Sequence, residues 1–214
     1  MARVLCLHGL GGTGATMWPI VGHLTSAQHT ALAPTLPGHG STPEDLVGVE
    51  WSSWLDAAGD WPADVVVGQS MGAMLALALA AEGRCRGVVA INPLAADPDA
   101  VDGLEWRISR GTEWHEVGRD TVGEVAYERL PMTSLLAMHT GILGVDLAAV
   151  TVPVLVVTSA LDEVVDPASS AVVAKAVTGP MQRLVLDRSG HVASLDAQRN
   201  ELAQAIVRFV HDFA

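Results

Sequence analysis

Six short runs along the chain, Arg3–Leu7, Ala31–Pro34, Val65–Val67, Gly87–Ile91, Val154–Thr158 and Arg183–Leu186, are apolar, mostly β-branched or leucine-rich, and without strict alternation. An alternating strand has one wet face, whereas a continuous apolar run has none, so these runs predict buried parallel strands. Residues between them repeat with helical period: Trp51, Trp54, Leu55 and Ala58 precede the third run, and Leu202, Ile206, Phe209, Val210 and Phe213 lie near the end. Met74–Ala81 is apolar on every side, which predicts a helix buried against a sheet, with Gly83 suited to its C-terminal cap. The pattern predicts an α/β fold with a mostly parallel central sheet of about six strands and helices on both faces.

The rhythm stops after the fourth run. Between Asp97 and Asp146, charged residues, glycine, Trp106 and Trp114 replace it, which predicts a small cap at 97–146 inserted into a core of 1–96 and 147–214. Pro93 and Pro98 mark the exit and Pro153 opens the return. For Trp106 and Trp114 two readings stay open, packing of cap on core or a grip on an apolar ligand. Trp51, Trp54 and Trp61 read as core packing.

Composition narrows the class. With 214 residues, half of them hydrophobic and 17% charged, the chain fits one globular domain with an insert. A formal net charge of −12, with no Lys/Arg cluster to reverse it, opposes nucleic acid and anionic lipid as partners. Cys6 and Cys85 provide neither a disulfide framework nor zinc spacing. The apolar run before His8 is too short for a signal-peptide core, which predicts a cytoplasmic location. The longest apolar tract, Val65 to Ala81, is interrupted by Gly68-Gln69-Ser70 and reads as strand, turn and helix rather than as membrane insertion. A monomer or weak homodimer is expected.

The strongest chemical signal is Gly68-Gln69-Ser70-Met71-Gly72, placed directly between a predicted strand and a predicted helix. A sharp strand-to-helix turn holds its serine in strained geometry and brings helix against strand, so the flanking positions must be small. Ser70 is therefore the candidate nucleophile. His8-Gly9-Leu10-Gly11-Gly12-Thr13 follows the first strand; if the first and third strands are neighbours, this loop and Ser70 meet in one crevice. The N–H groups of Leu10 and Met71 would then form an oxyanion hole. A lone Gly-Leu-Gly-Gly also fits a phosphate-binding turn, but no lysine follows as in a Walker loop and the dinucleotide spacing is incomplete.

A serine hydroxyl needs a base, and the base an orienting carboxylate. His191, in Ser189-Gly190-His191-Val192 just after the last strand, fits best among eight histidines. His8 and His39 belong to glycine-rich loops and are expected to shape them. The loop Ser159 to Pro167 follows the fifth run and holds Asp162, the preferred acid, giving the order Ser, Asp, His. Asp166 is the rival, with Pro167 able to begin a helix there, and Asp187 and Glu163 stay open behind it. Val164 and Val192, beside the acid and the base, join Leu10 and Met71 as expected substrate-binding residues.

Together, the His8-Gly9 loop, Leu36-Pro37-Gly38-His39-Gly40, Gly68-Gln69-Ser70-Met71-Gly72, Leu161-Asp162-Glu163, Leu130-Pro131-Met132-Thr133-Ser134-Leu135 and Ser189-Gly190-His191-Val192 resemble the small bacterial carboxylesterases and monoacylglycerol lipases of the α/β-hydrolase fold. The resemblance spans nearly the whole chain. It implies a carboxylic-ester hydrolase acting on short to medium acyl esters or monoacylglycerols, with a helical cap and with no metal or organic cofactor. With its first predicted strand leading straight into His8, the chain is expected to depart from larger relatives at their first antiparallel strands and in a reduced cap. The same triad serves thioesterases, C–C bond hydrolases and perhydrolases, and a non-catalytic ligand-binding protein on this fold is the alternative from another class. Dehalogenase and epoxide hydrolase chemistry needs a carboxylate nucleophile, and position 70 is serine.

Overall fold

The computed structural model describes residues 1–118 and 124–213. In chain order its elements are β1 (Arg3–Leu7), α1 (Trp18–Ser26), β2 (Thr30–Leu32), α2 (Trp51–Gly59), β3 (Val65–Gln69), α3 (Met71–Ala81), β4 (Gly87–Ile91), α4 (Pro98–Ser109), β5 (Trp114–Glu116), β6 (Arg129–Pro131), α5 (Met132–Leu143), β7 (Val154–Ser159), α6 (Ala168–Ala176), β8 (Met181–Leu186) and α7 (Arg199–Phe213). Six strands form one parallel sheet in the order β2-β1-β3-β4-β7-β8. This is the architecture expected of an α/β-hydrolase fold. The runs at β1 and β4 are reproduced residue for residue, while β2 begins at Thr30 and stops at Leu32, two residues short of Pro34.

Alternate residues of each central strand feed opposite faces, which is the two-residue period of the pleat at work. Leu5, Val66, Val88 and Val156 face one apolar cluster with Trp54 of α2, most of α3 and Val173 of α6. Val4, Val67, Val89 and Val157 face the other, where Ile20 of α1 and Phe209 of α7 cover them. Helix α3 begins at Met71, three residues before the predicted start, and every residue from Met71 to Ala80 is buried. Trp54 is fully buried as expected, but Trp61 is 47% exposed, because it lies past the end of α2 where the helix face no longer points at the sheet.

Between β4 and β7 lie α4, the antiparallel pair β5–β6 and α5. Residues 119–123 of this stretch fall outside the described set. No residue of α4 is fully buried, whereas Met138 and Ile142 of α5 join the same apolar cluster as Leu5 and Trp54. The outer helix thus rests on α5, and α5 on the main core. Both cysteines are buried and free. Burial pushes the Cys6 thiol up to about 12.

Candidate active site

The order of synthesis and the order in the sheet part company at β1, which has β2 on one side and β3 on the other. Chain segments leaving the carboxyl ends of β1 and β3 diverge there, and the gap between them is where open α/β sheets place their ligands. Ser70 follows β3 at this point, with φ 57° and ψ −122°, in the left-handed half of backbone space that a non-glycine residue enters only under constraint. The constraint is visible next to it. A Cβ added to Gly68 would sit 1.9 Å from the Gly72 carbonyl oxygen, and one added to Gly72 would sit 2.4 Å from that of Leu7. Only glycine at both positions lets α3 start this close to β1 and β3. Met71 opens α3, ahead of the point at which helical hydrogen bonds begin, so its N–H has no partner within the helix.

The loop after β1 reaches the same place: a Cβ built on Gly9 would lie 3.2 Å from Ser70 Cβ. His8 supports this loop from below. Its Nδ1–H donates to the Gly9 carbonyl at 2.8 Å and its Nε2 accepts from Leu36 N–H at 3.0 Å, so both nitrogens are committed as a neutral ring. Burial, and then the neighbouring His39, lower its pKa to about 3 against the opposing pull of the Gly9 carbonyl. His39 donates from Nδ1 to the Pro37 carbonyl and stacks on Tyr127, and burial lowers its pKa too. These two histidines shape the loops, as their sequence context suggested. Tyr127 ties the loops to the stretch before β6: its N–H donates to Gly11 O, and its hydroxyl donates to Gly38 O and accepts from Ser41 N–H.

On the far side of Ser70, His191 Nδ1–H donates to Asp162 Oδ2 at 2.8 Å, with side chains 15% and 2% exposed. The other carboxylate oxygen, Asp162 Oδ1, accepts from the N–H groups of Val164 and Val165, both at 2.9 Å. Asp166 lines the same cavity as Ser70 and His191, but its Oδ1 accepts from Ala168 N–H at the start of α6. Asp187 pairs with Arg188 at the surface. Ser70 and His191 line one cavity of about 740 Å³, within the range of small-molecule sites. Among the described residues, Ser70 Oγ makes no hydrogen bond to His191. Leu10, Val164 and Val192 also line the cavity, as expected, together with Leu94, Leu130 and Met138. Met71 does not; its side chain is fully buried in the core beneath. Neither Trp106 nor Trp114 reaches the wall: Trp106 is 61% exposed beside Arg110, and Trp114 stacks under Arg129. Among the described residues no three His, Cys, Asp or Glu side chains cluster as a metal would need, and no helix is long and apolar enough to cross a membrane.

Two buried carboxamides were given no role by the sequence: Asn92 lies in no motif, and Gln69 is the variable position of Gly68-Gln69-Ser70-Met71-Gly72. Asn92, directly after β4 with φ 48°, donates from Nδ2 to the His191 carbonyl at 2.9 Å and to Ser159 Oγ at 3.0 Å, and accepts at Oδ1 from Ser159 N–H at 2.8 Å. Gln69, the last residue of β3, accepts at Oε1 from Ser194 N–H at 3.1 Å. The signal that could have found them is a polar amide at the end of an otherwise apolar strand run.

Residues 4–205 match the Alpha/beta hydrolase family. The chain is 29% identical to the thermostable monoacylglycerol lipase of Bacillus sp. (strain H-257), covering 96% of this chain and 89% of that one. It is 25% identical to a carboxylesterase of Bacillus subtilis (strain 168), covering 97% and 91%. Among solved structures it is similar to one described with LipS and LipT, two metagenome-derived lipolytic enzymes, at a TM-score of 0.88 and 27% identity over 98% of this chain and 93% of that one. A monoacylglycerol lipase of Paleococcus ferrophilus shares the fold, with a TM-score of 0.74 at 19% identity over 97% and 93% of the two chains.

Proposed function

The chain belongs to the Alpha/beta hydrolase family, and on that premise we propose that it is a serine hydrolase of carboxylic esters, with Ser70 as nucleophile, His191 as general base and Asp162 orienting the histidine. The observation that carries this reading is the 2.8 Å bond to Asp162 made by His191, which lines the cavity that Ser70 also lines. With Nδ1–H committed to the carboxylate, the lone pair on Nε2 is free to take a proton.

The reaction runs in two halves. Ser70 Oγ attacks the ester carbonyl carbon while His191 Nε2 takes the hydroxyl proton, and the carbonyl oxygen becomes an oxyanion facing the N–H groups of Leu10 and Met71. Collapse breaks the bond to the alcohol, which leaves with the proton held by His191. Water then attacks the acyl-enzyme with His191 again as base, and the acid departs as Ser70 recovers its proton. Asp162 stays ionised and steadies the imidazolium in both halves.

Leu10, Val164 and Val192 would contact the acyl group, and the stretch 97–146 would act as the cap over it. The apolar share of the wall, including Leu94, Leu130 and Met138, supports a short to medium acyl chain or a monoacylglycerol. Hydrolysis of p-nitrophenyl esters from acetate to palmitate tests the reading. Turnover is expected with an optimum at short or medium chains, falling by at least about four orders of magnitude in Ser70→Ala. Fluorophosphonate labelling of Ser70 without ester turnover would move the substrate to thioesters or C–C bonds; no labelling would refute the nucleophile.

A further inference from the structure

A bond between Asp162 and the imidazole fixes how the His191 ring is turned, but it does not fix where the backbone of His191 sits. Asp162 itself lies on a loop whose neighbours Leu161, Glu163 and Val164 are exposed. With no hydrogen bond from Ser70 Oγ to His191, the separation of the two reacting side chains has to be set by something that holds the histidine loop to the sheet. The two carboxamides at the ends of β3 and β4 do this. Asn92 Nδ2 holds the His191 carbonyl at 2.9 Å, and Gln69 Oε1 holds Ser194 N–H at 3.1 Å. Gln69 and Ile91 are paired in register, so the two amides stand on adjacent strand ends, one immediately before Ser70 and the other immediately after the carbonyl that accepts Ser70 N–H at 2.9 Å.

We infer that Asn92 and Gln69 are positioning residues: together they suspend the His191–Ser194 segment from the same two strand ends that carry Ser70, and thereby set the distance across which the proton passes. Asn92 fits the task in a way few side chains could. Its oxygen faces an N–H and its nitrogen faces a carbonyl and a hydroxyl, so the orientation of the amide is determined by its partners and not interchangeable. It is 2% exposed and Gln69 likewise, so each bond competes with no water. Through Ser159 the same amide also grips the end of β7, three residues before Asp162. Nucleophile, acid and base thus share one buried strut. Of the remaining ties, Leu161 N–H donates to the Ser189 carbonyl at 3.1 Å and joins the histidine loop to the acid loop, and Gly190 N–H to Asp196 Oδ2 at 2.7 Å is local; neither of these two reaches the strand ends beside Ser70.

The inference rests on the proposed roles of Ser70 and His191, and its test is built to fail separately from them. The variants are Asn92→Ala, Asn92→Asp and Gln69→Leu, each measured for kcat, KM, the pH profile of kcat/KM with p-nitrophenyl butyrate, and amide hydrogen exchange of residues 189–195. Displacing the base should lower kcat by about tenfold to a hundredfold with KM little changed. In Asn92→Asp a carboxylate faces the His191 carbonyl and stabilises the imidazolium, so the acidic limb of the profile should move up by roughly one pH unit. Exchange across 189–195 should quicken in all three. A role confined to stability would lower the melting temperature and leave kcat and the acidic limb of the folded variants where they were, and that result overturns the inference. Should the Asn92 variants fail to fold, Gln69→Leu decides by the same readouts. Should the wild-type chain neither turn over esters nor take up fluorophosphonate, the reading of Ser70 fails while exchange at 189–195 still decides the strut: unchanged exchange sinks it.

Discussion

Asp162 and Asp166 sit four positions apart on one loop, and the same functional group has two different jobs there. Asp162 divides its oxygens between the His191 ring and two backbone N–H groups, whereas Asp166 spends its bond on the first turn of α6. Asp162→Ala should therefore lower kcat by about four orders of magnitude. Asp166→Ala should lower stability by about 1 kcal/mol through the lost helix-start bond and leave Ser70 open to fluorophosphonate; ester kinetics and thermal melts of the pair separate the two. From sequence, loop position favoured Asp162 without closing the choice, because which carboxylate reaches a histidine 29 residues away depends on three-dimensional placement. Asn92 and Gln69 were hidden for a related reason. An amide becomes informative only through the groups it faces, and here those groups come from distant parts of the chain.

At the level of elements, the turn from β3 into α3 depends on absent side chains. Gly68→Ala would drive a methyl group against the Gly72 carbonyl, which should lower the unfolding free energy by about 3 kcal/mol and abolish turnover together. Gly22, inside α1, has nothing within 4 Å of an added Cβ, so Gly22→Ala should instead raise stability by about 0.5–1 kcal/mol with turnover unaffected. Urea denaturation of the two variants checks both signs. The buried strands were legible because continuous apolar runs have few other uses, and α3 because no polar residue interrupts it. The start of α3 was misplaced since Met71 and Gly72 belong to the motif and to the helix at once. Strands β5 and β6, each three residues long, leave no period to read.

For the molecule as a whole, the neutral histidine beneath the first loop couples folding to pH. The unfolded chain binds a proton at His8 near the ordinary 6.5, while the folded chain does so only at about 3. Since the unfolded state then holds more protons, this contribution to stability is complete above pH 6.5 and is lost as pH falls towards 3, with a slope of up to about 1.4 kcal/mol per pH unit. His39, shifted the same way by burial, adds to it. Urea midpoints should accordingly drop between pH 7 and pH 5, and a flat profile would mean that His8 takes up its proton as readily in the fold as in the unfolded chain. The sheet order has a consequence of another kind, which concerns a chain still being made. Strands β2, β1, β3 and β4 are all complete by Ile91, but the strand that pairs with the other edge of β4 begins only at Val154. At ribosomal speeds that edge, Val88 to Ile91, stays without its neighbour for on the order of several seconds. An apolar strand with bare N–H and C=O groups is a template for pairing with other chains. Slowing translation between Ile91 and Val154 should therefore lower the soluble yield of this protein, and supplying a chaperone that covers strand edges should raise it more than any gain in the stability of the finished fold.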